Sequence, residues 1–248
     1  MKYIRKNKTS KGAKLLQKIY KDKLATYDKD VRNDRNQRNQ RNNYDEVINS
    51  LLIEQGYLCA YCMRKISEDN ATIEHYIGQE YIDEEGNNIG KQEDTNYINM
   101  LAVCKGTYCE FSTKRKEKLH CDSSRALFQD QSKGNYRPKL FINPQNKEQM
   151  EQTLFTRSGS ICYKEIEFLP SLESKLDYEI RFDINSVLNL NCENMVNDRK
   201  KIIDAIKNAL VKHKFNKAFA RKLLNNWENN QPYKEYAHVA ILELKKHI

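Results

Sequence analysis

The sequence predicts an α+β chain in which a small cysteine-rich module sits between two mostly helical stretches. Three observations predict it. Apolar residues recur at helical intervals near both ends of the chain, as in Leu15, Leu16, Ile19, Tyr20 and Leu24, and again along KKIIDAIKNALVKH. Between them the spacing breaks into short β-prone runs separated by polar, glycine-punctuated stretches. Five of the seven cysteines, Cys59, Cys62, Cys104, Cys109 and Cys121, fall in that middle part. The expected organisation is a basic helical arm over 1–56, a compact module over 57–135 and a mostly helical region with one small hairpin over 136–248.

In order, residues 10–26 predict a helix, and 44–55 a second one, with Val47, Leu51 and Leu52 facing a core and Gly56 ending it. Between them, VRNDRNQRNQRNN (31–43) has almost no apolar content. Its Arg32, Arg35, Arg38 and Arg41 recur every third residue, a stripe suited to ordering on phosphates or on a partner. Residues 57–77 predict a hairpin, YLCAYC turning through SEDN into ATIEHYI. Residues 78–95 predict a loop, Asn96 starts a helix or turn, 105–120 is a lysine-rich insertion, and CDSSRALFQ opens a helix at Cys121. A second hairpin is expected over 153–170 around Ser158-Gly159-Ser160, and helix from about 183 to 247.

The chain has 248 residues, 39% hydrophobic and 31% charged, with a formal charge of +9. Residues 1–42 hold fourteen Lys or Arg against four Asp, so the rest is close to neutral. That asymmetry fits a polyanionic partner such as nucleic acid, or a solvated face. Residues 1–10 lack the apolar run of a signal peptide and no stretch approaches membrane-spanning length, so a cytoplasmic protein without membrane contact is expected. Cysteines there stay reduced, which makes metal ligation their first explanation. Cys162 and Cys192 lack partners at ligand spacing and read as small apolar residues.

Cys59-Ala-Tyr-Cys62 is a knuckle that presents two thiolates to one tetrahedral ion. After it come Glu74-His75, then Asn99 five residues before Cys104, then His120-Cys121-Asp122-Ser-Ser-Arg125. Taken singly, Glu74-His75 is an exposed strand pair, Asn99 a turn residue and Asp122 a helix cap. Their joint order between placed cysteines resembles the zinc-bearing branch of the HNH endonuclease superfamily. The phrases LCAYC, IEHY, NMLAVCKG and HCDSSRA, with the later VLNLN and Asn197-Asp198-Arg199, are similar to the HNH effectors of Septu-type and retron-linked anti-phage systems, the PtuB-like family.

The resemblance implies a ββα-metal module with structural Zn²⁺ on Cys59, Cys62, Cys104 and Cys121. It implies His75 as general base, Glu74 and Asp122 as ligands of a catalytic Mg²⁺ or Mn²⁺, and Asn99 orienting the His75 loop. It also implies an ABC-type ATPase partner, with retron nucleic acid a further candidate. Arg125, one turn beyond Cys121, is expected to pin a neighbouring phosphate. Cys104 and Cys121 are further apart than the usual second C-x2-C pair. Cys109 is therefore an alternative zinc ligand, and Cys121 is favoured because only it brings Asp122 beside the metal. His120 is a spare ligand or a solvated residue before a helix. The alternative function is a zinc-ribbon subunit that binds nucleic acid or a partner without cutting.

Overall fold

The computed structural model describes residues 1–22, 24–32, 42–106, 119–128, 137–164 and 174–248. It is a mixed α+β structure with two small antiparallel sheets. Helix α1 (Lys11–Tyr20) starts at Ser10, whose side chain accepts from Ala13 N. It stops six residues before the end expected from the apolar pattern. Asp22 accepts from Leu24 N through its side chain, a local turn that competes with helix, and Leu24 is left 82% exposed. Helix α2 (Asn43–Gln55) runs from the Asn42 cap to left-handed Gly56, as its punctuation predicts. The two helices cross at Gly12. A Cβ there would stand 2.9 Å from the Glu46 carbonyl and the Val47 Cα, so only glycine permits the approach.

The hairpin expected within 57–77 does not form. Residues 58–65 curl on themselves instead, with Cys59 N donating to Arg64 O, Met63 N to Cys59 O, and Met63 in the left-handed region. Strand β1 (Ala71–His75) therefore pairs with β2 (Met100–Cys104), in the register Ala71↔Cys104 to His75↔Met100. Every residue of β2 is buried, and a short apolar run of that kind carries no period that marks it as strand. The one-turn helix α3 (Ile89–Gln92) lies between the strands, and a 3₁₀ turn (Tyr97–Asn99) leads into β2. Helix α4 (Cys121–Arg125) packs against the sheet.

Gln55 ties α2 to this unit. Its side chain donates to Leu58 O at 2.9 Å and Ala102 O at 2.7 Å, and accepts from Ala102 N at 2.9 Å. Lys6 bonds the Met100 carbonyl and pairs with Glu54 at 3.1 Å, which brings the N-terminal segment onto the same strand.

Helix α5 (Lys147–Glu151) precedes the predicted second hairpin, β3 (Thr153–Phe155) and β4 (Ile161–Tyr163). The C-terminal region is helical over the expected stretch, in α7 (Glu193–Lys212), α8 (Lys217–Asn229) and α9 (Ala237–Lys245), and begins earlier than expected with α6 (Lys175–Phe182). Arg199 of α7 is fully buried and donates to Gly159 O at 2.5 Å and Leu190 O at 2.7 Å, fastening the hairpin turn to the helix. One buried apolar cluster runs from Met1 to Leu244.

Gln55→Leu keeps the volume but strands the buried Ala102 N–H. It is expected to lower unfolding free energy by about 1–3 kcal/mol in urea titrations of the metal-loaded protein.

Candidate active site

Three segments bring four sulfurs together. The knuckle supplies Cys59 and Cys62, the end of β2 supplies Cys104, and the first residue of α4 supplies Cys121. Their Sγ atoms all lie within 4.8 Å of one another, with Cys59–Cys121 at 3.9 Å and Cys62–Cys104 at 3.7 Å. A tetrahedral ion with metal–sulfur bonds of about 2.3 Å needs sulfur–sulfur edges of about 3.8 Å, so the donor set and its spacing suit zinc. Burial pushes the Cys62 and Cys121 thiols well above their ordinary range, a cost that a bound cation removes. Two backbone features make this convergence possible. Gly106, at φ +69°, lets the chain leaving β2 press on the His120 carbonyl, where a Cβ would sit 1.9 Å away. Cys121 itself is left-handed, with φ 50°.

Cys121 is thus in the cluster, and Cys109 lies outside the described residues. His120 is buried rather than solvated, its Nδ1 3.2 Å from Cys121 Sγ and 3.8 Å from Cys104 Sγ.

Next to the cluster is a cavity of about 800 Å³ whose walls include Thr72, Ile73, Glu74, His75, Asp94 and Asp122. Neighbouring residues of a strand point to opposite faces, which argues against Glu74 and His75 serving one site. The structure resolves this at the strand's edge. Among the described residues β1 pairs only with β2, so Thr72 to His75 all reach a cavity along its other side. Glu74 turns toward α4, where it binds Arg125 Nη1 and lies beside Asp122 in the wall of the same cavity. Burial raises the Glu74 carboxyl to about 8, with Arg125 opposing the shift and Asp122 adding to it. Two adjoining carboxylates are a donor set for a hard divalent cation. His75 is not a third ligand beside them. The four cysteines are the only group of three or more such side chains so close together among the described residues.

His75 turns the other way. Its Nε2 lies 2.8 Å from the Asp94 carbonyl, which can only accept, so Nε2 carries the proton and Nδ1 keeps a lone pair. The Tyr27 ring stands edge-on to the imidazole at 4.6 Å. Burial holds the imidazole below the usual histidine range, in its neutral form. Asp94 is a residue the sequence did not single out. Its carboxylate accepts from Tyr27 N and Gln79 Nε2, both at 2.6 Å, and so clamps the carbonyl that orients His75. Nothing in its neighbourhood marks it, because the contacts join loops far apart in the chain. Asn99 braces the same loops. It accepts from Ile77 N at 2.7 Å and donates to Ile77 O at 3.0 Å and Glu93 O at 3.2 Å.

Arg125 requires a correction. It was expected at a phosphate, but it is fully buried and donates to Glu74, His75 O, Tyr76 O and Pro138 O. It holds the strand end and cannot reach a substrate. Arg32 does line the cavity, in a loose pair with Asp28 at 3.5 Å, whereas Arg35, Arg38 and Arg41 lie outside the described residues.

No family model matches the chain. It is 25% identical over 203 residues to the "Retron Ec83 putative HNH endonuclease" of Escherichia coli, 76% of each chain being covered. This distant similarity supports a nuclease of the HNH type.

Cys121→Ser is expected to lose the bound zinc, and Cys109→Ser to keep one zinc per chain by elemental analysis. A carboxyl whose folded pKa lies near 8 rather than the ordinary 4.5 binds more protons folded than unfolded between those values. The zinc-loaded protein should therefore lose stability from Glu74 as pH rises through that window. Mg²⁺ or Mn²⁺, which needs the ionised form, should raise Tm more at pH 8.5 than at pH 6.

Proposed function

We propose that this protein is a metal-dependent HNH endonuclease that hydrolyses phosphodiester bonds in nucleic acid. One observation carries the reading: a neutral, oriented imidazole and two adjoining carboxylates face one cavity beside a four-sulfur cluster. In this reading the cluster holds structural Zn²⁺ and fixes the ends of β2 and α4. His75 Nδ1 takes a proton from water as the water oxygen bonds phosphorus, and the bond from phosphorus to the 3′-oxygen breaks. The products carry a 5′-phosphate and, once the leaving oxygen is protonated from solvent, a 3′-hydroxyl. Mg²⁺ or Mn²⁺ on Glu74 and Asp122 would supply charge stabilisation at the phosphate and the leaving oxygen. Arg125 holds Glu74 through Oε1, which leaves Oε2 for the cation. Asp94 and Asn99 keep the imidazole aimed, and Tyr27 walls it from bulk water.

The sequence resemblance and the retron origin named for the relative support a role as the cutting subunit of a bacterial anti-phage complex of the Septu or retron type. The resemblance also supports an ABC-type ATPase as partner. A cytoplasmic location belongs to the same proposal. No described helix is long and apolar enough to cross a membrane.

A second reading, a zinc module that grips nucleic acid without cutting, is favoured by Arg125 already neutralising Glu74. The two separate on one assay with plasmid, single-stranded DNA and total RNA, with Mg²⁺, Mn²⁺ or chelator, and with the ATPase where it co-purifies. His75→Ala is expected to lower cleavage by at least about 100-fold, with zinc content and Tm preserved. Equal cleavage by wild type and His75→Ala would sink the nuclease reading. Unchanged nucleic-acid binding in Glu74→Ala and Asp122→Ala, with no cleavage by any form, would favour the binding module.

A further inference from the structure

The body of the chain is close to neutral in sum, yet its charge is not evenly mixed. From Ala205 to Trp227 there are six cations, Lys207, Lys212, Lys214, Lys217, Arg221 and Lys222, and no Asp or Glu. The last five gather where α7 turns into α8, and all are exposed. Surrounding lysines have partners: Lys201 with Asp198 at 3.0 Å, Lys207 with Glu243 at 3.9 Å and Lys245 with Glu228 at 3.0 Å. The side chains of Lys212, Lys214, Lys217, Arg221 and Lys222 make no ion pair or hydrogen bond among the described residues. A solvated helix pair ordinarily interleaves acids with its bases, so an acid-free stretch concentrates positive potential at the turn.

An aromatic ring stands among these charges. Phe215 is 50% exposed, and Val211 beside it 57%. Lys214 and Phe215 both hold left-handed backbone, with φ 51° and 53°. Helix ends of this shape favour glycine or asparagine, so a bulky side chain there carries a conformational cost. Packing offsets that cost only in part: the ring leans against His247 at 5.7 Å between centroids, and half the residue faces water. His213, one position before Lys214, stacks on Phe219 at 3.7 Å and stiffens the turn.

We propose that the α7–α8 turn is a second nucleic-acid contact, separate from the cavity, that takes single-stranded substrate. The five cations pair with successive phosphates, and the Phe215 ring provides a face on which an unstacked base lies. A rigid duplex keeps its bases stacked and would use the cations alone. The nature of the polyanion rests on the nuclease reading, whereas the surface itself rests on charge and exposure.

The test uses the full chain carrying His75→Ala, so that no probe is cut, and fluorescence anisotropy with a single-stranded 20-mer and the matching duplex over a series of salt concentrations. Replacing Lys212, Lys214 and Lys217 with Gln should reduce the slope of log K against log salt by about 2, and weaken binding on the order of 100-fold at 0.1 M salt. Phe215→Ser should weaken the single strand by about 5- to 150-fold while leaving the slope unchanged, and Phe215→Trp should restore it. The duplex should not respond to Phe215. An unchanged slope in the triple variant overturns the proposal, as does equal loss on single strand and duplex with Phe215→Ser. Loss of a co-purifying acidic protein with oligonucleotide binding intact overturns it in favour of a protein partner. Cleavage of the probe by the His75→Ala chain would count against the nuclease reading and leave the slope comparison standing.

Discussion

Four sulfur atoms held inside the protein within 4.8 Å of one another set the terms for everything around them. They join positions 62 residues apart, Cys59 and Cys121, and 42 apart, Cys62 and Cys104. Closing such loops has an entropic cost, and burying thiols so close together has an electrostatic one. An ion that ties all four offsets both. The chain between Cys62 and Cys104 contains β1 and the Asp94 loop, so closing the cluster also fixes where Glu74 and His75 stand. Cys121 and Asp122 are adjacent in sequence and serve different purposes, one in the cluster and one in the cavity wall. The left-handed backbone at Cys121 is the device that divides them.

Arg125 is the second organiser. A fully buried guanidinium is expensive to desolvate, and hydrogen bonds from its donors offset that cost. Here Nη1 and Nη2 bind one carboxylate and three backbone carbonyls, all at or just beyond the end of β1 or at Pro138, while Nε has no partner among the described residues. A flat strand would send Glu74 and His75 to unrelated surroundings. Arg125 on one side and the Asp94 carbonyl on the other hold the strand so that both residues open onto its free edge. Orientation is what such a pair contributes, more than stability.

The parts of this site legible in the sequence are those whose signals are local. The cysteine spacing, the Glu74-His75 dipeptide, Asn99 and Asp122 stand out as an ordered string that resembles the HNH pattern; the structure brings four cysteines into one cluster and Glu74, His75 and Asp122 to one cavity, with Asn99 bracing the loops beside them. Helix α2 could be delimited to within a residue because its apolar spacing is regular and Gly56 marks its end; the Asn42 cap is seen only in the structure. What failed was pairing. The strand partner of β1 is a continuous apolar run with no period, and the knuckle that was expected to pair with it is consumed by its own turn. Arg125 was misplaced for a related reason, since one helical turn from Cys121 gives its height on the helix but not the side it faces. Asp94 had no signal, because its role exists only after three loops meet.

The excess of cations in the N-terminal arm fits either a phosphate-binding limb or a solvated face. Yet Ala25 to Asp28 and Arg32 form part of the cavity wall, and Tyr27 meets both His75 through its ring and Asp94 through its backbone. The imidazole is therefore seated by one residue of the arm and one of the cysteine module, and the module by itself would leave the base without its edge contact and the Asp94 carboxylate without its Tyr27 donor. Whatever moves residues 25–32 also moves one wall of the site.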